Sequence, residues 1–310
     1  MVALSTMWSQ GRFKKEEAPD APDSMVEFAR KASELGFRYA EINYVIPPEG
    51  VDALIDCGLI AFSSVHSPCP RVKMGDGKHS DALNLAAKDE EERGLAVQVA
   101  KDSVDTAVRA NAKLLVVHLG GLPNVFDEEK KLRKMYDEGQ REGQEVERLR
   151  RSGIERRHKE GPTHFPQAQK SLAEIVEYAA KHGVTIGLEN RYHYHEYPDP
   201  DEMQVLLAGY PPEVAGFWLD VGHAEVLDRL GFLPHTRWLD ELADRCVGTH
   251  VHDVDGLADH RAPGHGNADW PHYAAKLPPY IPRVFEINQK VPEDQVAASI
   301  PFLRERGVLP

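Results

Sequence analysis

Glu189, Asp220, His250 and Glu286 each end a short β-rich run, and together they make a donor set of three carboxylates and one imidazole. Such a hard, oxygen-rich set suits Mn²⁺, Mg²⁺ or Co²⁺ better than a structural zinc cage. The run Gly216-Phe217-Trp218-Leu219-Asp220-Val221-Gly222-His223 is the centre of the pattern, because it leads from an apolar strand into a carboxylate and, three residues on, an imidazole. Val65-His66, Val117-His118 and Thr249-His250-Val251-His252-Asp253 repeat the same punctuation. His66, His118, His223 and His260 bring further nitrogen. With them as ligands the site becomes zinc-friendly and large enough for about two or three ions.

Taken singly, these residues have ordinary readings: His118 as a hydrogen-bonded wall residue, Glu189 as a salt-bridge partner at a strand end. Four acidic or His residues ending four successive strands do not, because carboxylates without a counter-charge are costly to bury. Glu41, at another strand end, is assigned to hydrogen bonding behind the ligands. Arg191 with Tyr192-His193-Tyr194-His195 reads as substrate contacts or as an exposed aromatic loop, and Trp8 and Trp270 as pocket walls or plain packing.

Side chains so far apart in sequence meet only if their strand ends gather on one rim. Strand patterns fall at 2–7, 39–43, 60–66, 114–118, 184–189, the run ending on Asp220, 247–252 and 283–287. Helical spacing falls between them. One helix follows a charged, Pro-containing loop and opens with Ser24 and Glu27 as a capping-box pair, and Leu95, Val99, Val104 and Val108 line another. Strands alternating with helices in this way predict an α/β fold, a (β/α)8 TIM barrel, in one domain spanning 1–310; its catalytic groups would sit at the C-terminal ends of the strands. The stretch at about 127–160 breaks the rhythm. Its interleaved charges predict an inserted, solvent-exposed helix or helix pair, serving as a lid, an oligomer arm or a solvated excursion.

With 50 acidic and 37 basic residues the formal net charge is −13, a balance that disfavours nucleic acid and anionic membrane as partners. Cys57, Cys69 and Cys246 form no CxxC and cannot all pair, which suits a reducing compartment. No signal-like start and no run of about 18 apolar residues is present, so a cytoplasmic protein is expected.

Leu188-Glu189-Asn190, Asp220-Val221-Gly222-His223, His250-Val251-His252-Asp253 and Asp259-His260 through Gly264-His265-Gly266-Asn267 resemble the motifs of the xylose-isomerase-like TIM-barrel superfamily. That superfamily contains sugar isomerases, ketose 3-epimerases and metal-dependent apurinic-site endonucleases. The resemblance runs from Tyr39 to Gly307, excepting the charged insertion. Likeness to the epimerases implies that Glu189, Asp220, His250 and Glu286 hold one divalent ion and that Glu189 and Glu286 are also the catalytic acid/base pair. It further implies that His223 and Arg261 contact substrate oxygens, with His66 beside the same pocket.

Likeness to the endonucleases implies a trinuclear zinc cluster on His66, His118, Glu189, Asp220, His223, His250, His260 and Glu286. The sequence departs from that pattern where Asp259 directly precedes His260 instead of Asp-x-His, and where His265 replaces the usual carboxylate of Gly-Glu-Gly. Basic recognition loops reduce to Arg71 and Lys73. The leading expectation is a metal-dependent sugar or sugar-phosphate isomerase/epimerase moving a proton through an enediolate. Phosphodiester hydrolysis at abasic sites and a non-catalytic metal- or sugar-binding barrel are the alternatives. A homo-oligomer, with the insertion as its contact, is compatible with either enzyme.

Overall fold

The computed structural model describes residues 1–13, 22–75 and 77–309. Its elements run β1 (Val2–Ser5), α1 (Pro22–Glu34), β2 (Tyr39–Ile42), α2 (Pro48–Asp56), β3 (Ala61–His66), α3 (Glu90–Arg109) and β4 (Leu114–Val117). Then come α4 (Asp127–Asp137), α5 (Gln144–Glu160), α6 (Phe165–Lys181), β5 (Thr185–Glu189), α7 (Pro200–Leu207), β6 (Ala215–Asp220), α8 (Val221–Arg229) and α9 (Thr236–Leu242). The chain ends with β7 (Cys246–His250), β8 (Asp253–Asp255), β9 (Ala258–Arg261), α10 (Trp270–Lys276), β10 (Arg283–Phe285) and α11 (Glu293–Glu305). Parallel strands close a barrel in the order β1-β10-β7-β6-β5-β4-β3-β2, a TIM barrel as the alternation of patterns predicts.

Side chains alternate along a strand, so every second residue points into the barrel. Ala3, Val116, Trp218 and Val284 form a closed apolar cluster there, separate from the larger core between strands and helices. Trp218 fills most of that interior, and it is admitted by glycines on both neighbouring strands. A Cβ at Gly187 would lie 3.0 Å from the indole, and one at Gly248 only 2.1 Å from it. Two residues beyond this layer, five of the strands present their next inward residue at the mouth: His118, Glu189, Asp220, His250 and Glu286. The indole packs edge-on against the His250 ring at 5.2 Å, so the plug is also the floor of the mouth.

Local chemistry differs from expectation at three places. Helix α1 begins at Pro22, and the Ser24 hydroxyl donates to Phe13 O at 2.8 Å instead of capping; the charged loop before it lies outside the described residues. The loop after β7 folds into an antiparallel hairpin, β8–β9. Between β4 and α6 the chain makes the helix pair α4 and α5, and α6 takes the barrel position beside α3, where Arg93 reaches Ser171 and Glu174.

The pair is not a solvated excursion. Leu132, Val146 and Leu149 are buried, and Gly153 lets Phe232 approach so closely that a Cβ would stand 2.9 Å from its ring. Two of its charges point inward. Glu129 is fully buried and accepts from the Tyr194 N–H at 3.0 Å and from Arg133 at 2.9 Å, while Arg157 donates to Tyr194 O at 2.9 Å. Buried charges held this way tie the insertion to the loop that follows β5.

Two glycines test this packing in opposite directions. Gly248→Ala forces a methyl into Trp218 and is expected to cost about 1–3 kcal/mol. Gly94, inside α3 with nothing within 4 Å of its would-be Cβ, is expected to gain about 0.5–1 kcal/mol on Gly94→Ala. Chemical denaturation of both variants measures each sign.

Candidate active site

At the mouth, the His250 Nδ1 atom is the meeting point. Glu189 Oε1 lies 3.2 Å from it, Glu286 Oε2 3.3 Å and Asp220 Oδ2 3.5 Å. All four residues are buried, and among the described residues no lysine or arginine forms an ion pair with these carboxylates. The opposite ring nitrogen of His250 lies 3.1 Å from Glu41 Oε1, and Glu41 in turn accepts from the Ser64 hydroxyl at 2.8 Å. A carboxylate behind an imidazole fixes its tautomer and orientation and raises its basicity as a ligand.

Backbone partners hold the other members. Asn190 pairs twice with the end of β6, its Nδ2–H donating to Asp220 O and its Oδ1 accepting from Asp220 N–H. Asp220 also caps α8 by accepting from the His223 N–H at 2.7 Å. Asn43 donates to Glu286 Oε1 at 2.7 Å, leaving Oε2 toward His250. His66 Nδ1 lies 3.0 Å from Ser67 O and His223 Nδ1 2.9 Å from Asn190 O, so each ring turns its Nε2 into the mouth.

The electrostatics follow from burial opposed by neighbours. Burial pushes the Glu189 carboxyl up, but His118 and His250 outweigh it and hold it well below the usual range. Asp220 behaves alike under His223 and His252. Glu286 falls to about 2, since His250 and His260 overcome its burial. Burial lowers His250, yet Glu286, Glu41 and Glu189 lift it well above an ordinary imidazole, and His66, likewise opposed by burial, is raised by its hydrogen bond to Glu189 and the nearby carboxylates. His118 goes the other way, pulled to about 3 by burial and Arg191; it is neutral, and its Nε2–H donates to Glu189 Oε2 at 2.6 Å.

Several groups could each hold an ion. His66, His118 and Glu189 offer ligand atoms within 4.8 Å of one another, as do His66, His250 and Glu286, and likewise His223, Asp259 and His260. The last group forms despite the direct Asp259-His260 step, because His260 adopts φ 54° and turns its ring inward. The donor set fits a divalent cation: three ionised carboxylates face one point and are balanced only by imidazoles.

Of the expected substrate-facing residues, His66 and His223 line the mouth cavity of about 390 Å³, with Tyr44. Arg191 lines it too, bonded to Glu196 Oε1 through Nε and Nη2, while its Nη1 is buried without a partner. Arg261 does not reach the cavity. Alternation along β9 turns His260 inward and Arg261 outward, where it is 48% exposed and approaches Asp255 at 4.0 Å. Trp8 and Trp270 are buried packing residues.

His252 was not singled out from the sequence, yet it is fully buried, with Nε2 at 3.0 Å from both Asp220 oxygens and Nδ1 accepting from the His260 N–H. Its signal was its place two residues after His250. Gly222 makes room for it: a Cβ there would lie 2.1 Å from the His252 ring.

Comparison with known proteins agrees with this architecture. An uncharacterised protein of Methanocaldococcus jannaschii is 23% identical over 201 residues, 63% of this chain; the chain spans 56% of that relative's length. A D-tagatose 3-epimerase-like protein superposes with a TM-score of 0.65 at 19% identity, covering 98% of this chain and 96% of its own. The D-allulose 3-epimerase of Methylomonas sp. gives 0.63 at 16% identity, covering 98% and 97%. The 3-keto-D-glucoside 4-epimerase of E. coli gives 0.62 at 14%, covering 98% of each chain. Residues 29–306 match the family described as Xylose isomerase-like TIM barrel, and the chain belongs to that family.

Proposed function

We propose that this chain is a divalent-metal-dependent sugar isomerase or epimerase, a reading supported above all by two buried glutamates converging on one imidazole nitrogen from different strands. Epimerases among the structures of similar fold support the same class. Glu189, Asp220, His250 and Glu286 would hold the ion, with manganese, magnesium or cobalt suited to a single site. When bound, such an ion polarises a substrate carbonyl and acidifies the neighbouring C–H.

The chain's own groups do the proton work. Glu189 Oε2, held by His66 at 3.1 Å and His118 at 2.6 Å, takes the proton from carbon, and Glu286 Oε1, held by Asn43, picks up a proton from solvent and passes it to the enediolate. Both carboxyls are ionised at neutral pH, so either can begin as base. Burial lifts the Tyr44 phenol to about 12, which keeps its O–H available to a substrate oxygen beside Arg191 and His223. Glu189→Gln and Glu286→Gln are each expected to lower solvent-deuterium exchange into ketoses by about 10²–10⁴-fold with the fold intact by circular dichroism. Elemental analysis of the same preparations separates loss of the base from loss of the ion, and full exchange in either variant would refute the mechanism.

Metal binding should also be read in protons. His250 and His66 have folded pKa values raised above 6.5, His250 well above it, so any proton that either ring holds must leave before it can ligate. Calorimetric titration with Mn²⁺ at pH 7 in buffers of different ionisation enthalpy is expected to show about one or more protons released per ion. By the same shifts the stabilisation from these histidines is fully present below pH 6.5 and fades as pH rises through their raised values; that from Glu286 is present above 4.5 and fades toward 2.

A second reading, zinc-dependent hydrolysis at abasic sites, is favoured by the His66–His118–Glu189 and His223–Asp259–His260 groups, which offer places for further ions. Zinc-loaded protein incising a duplex with one abasic site would establish it. Metal content of one manganese, magnesium or cobalt per chain, with no incision, would dismiss it.

A further inference from the structure

A second cavity of about 350 Å³ adjoins the mouth, and Tyr44, His118, Arg191 and Glu196 line both. Each volume falls within the roughly 300–1,000 Å³ range of ligand pockets, so each can take a ring of its own. Of the candidate ligands at the mouth, only His118 borders the second one.

Its lining is mixed in a particular way. Leu83, Val99 and Leu122 supply apolar surface, while Ser67, Ser80 and Asn84 supply neutral polar groups. Such a lining suits a ligand with both hydrogen-bonding and apolar faces. The charges are already balanced. Arg191 is neutralised by Glu196 at 2.9 Å, and Asp81 by Arg71 at 3.3 Å. A phosphoryl group would find no uncompensated cation here and would face two carboxylates, whereas a sugar ring offers C–H faces to the leucines and hydroxyls that donate or accept.

We propose that this cavity is a subsite for an uncharged glycosyl unit joined to the sugar whose C–H is exchanged at the mouth, so that the preferred substrate is a glycosyl ketose and not a free or phosphorylated one. This rests on the reading given under Proposed function. The test uses metal-loaded full-length protein and solvent-deuterium exchange into D-fructose, D-fructose 6-phosphate, and the 4-O- and 6-O-glucosyl derivatives of D-fructose. A glucosyl derivative is expected to show kcat/KM at least about tenfold above both other probes, mainly through KM, and Leu83→Trp, which fills the cavity, is expected to erase that ratio. Equal values for free and glucosylated ketose, a preference for the phosphate, or a ratio that survives Leu83→Trp overturns the subsite.

If no probe exchanges, the proton-transfer reading fails by itself and the subsite is judged by binding. Saturation-transfer NMR with 6-O-glucosyl-D-fructose should then show contact at the glucosyl ring in the wild type and lose at least about half of it in Leu83→Trp. No saturation of that ring, or none lost in the variant, overturns the subsite independently.

Discussion

Three carboxylates share one imidazole nitrogen at the floor of the mouth, within 3.2–3.5 Å of it and almost wholly buried. Taking one such charge out of solvent costs several kcal/mol even after relaxation, and three at one point repel one another as well. The surrounding structure answers this load with histidines on every side. His66, His118, His223, His252 and His260 each touch one of these carboxylates or its partner, and Glu41 steadies the central ring from behind. Protonated imidazoles such as His250 are one counter-charge for these carboxylates, and a divalent cation would take their place with release of protons. The same concentration of charge is what suits the mouth to a divalent cation.

Holding that arrangement is a packing problem. The mouth residues inherit their positions from the layer beneath them, where Trp218 leaves room for nothing larger than glycine on either neighbouring strand. Past the end of β7 the chain is pinned by Asp253, whose oxygens accept from the backbone of Val254, Ala268 and Gly264. Gly266 must pass so close that a Cβ would sit 2.4 Å from Val254 O. That knot sets the hairpin, and the hairpin sets His260 and Asp259. The Gly-rich segment after His260 is thus a consequence of backbone crowding around one buried carboxylate.

Much of this was legible in the sequence, and for a physical reason. Apolar runs ending in His, Glu or Asp report strand direction and strand end together, and a closed barrel turns that one-dimensional list into a ring. Asp220-Val221-Gly222-His223 is readable because the cap, the turn and the ligand occupy consecutive residues. What stayed hidden depends on returns of the chain. His252 matters only because β8–β9 folds back over it, and Arg261 points away because a short hairpin reversed the face that a loop left undecided. The charged composition of 127–160 concealed Glu129 and Arg157, since a buried charge with partners looks the same in sequence as a solvated one.

The helix pair α4–α5 touches none of the barrel's carboxylates, yet through Glu129, Arg133 and Arg157 it grips the backbone of Tyr192 and Tyr194, next to Arg191, His195 and Glu196. Under the proposed reading, reaction and recognition of the far part of a ligand rest on separate pieces of the chain. Strand ends would carry the chemistry and tolerate little change, whereas the wall of the second cavity hangs from a surface element free to lengthen, shorten or be recoloured. Divergence within such a scaffold has an open route: a lineage can exchange its outer helices, acquire a new diet, and leave the chemistry of its ancestor untouched.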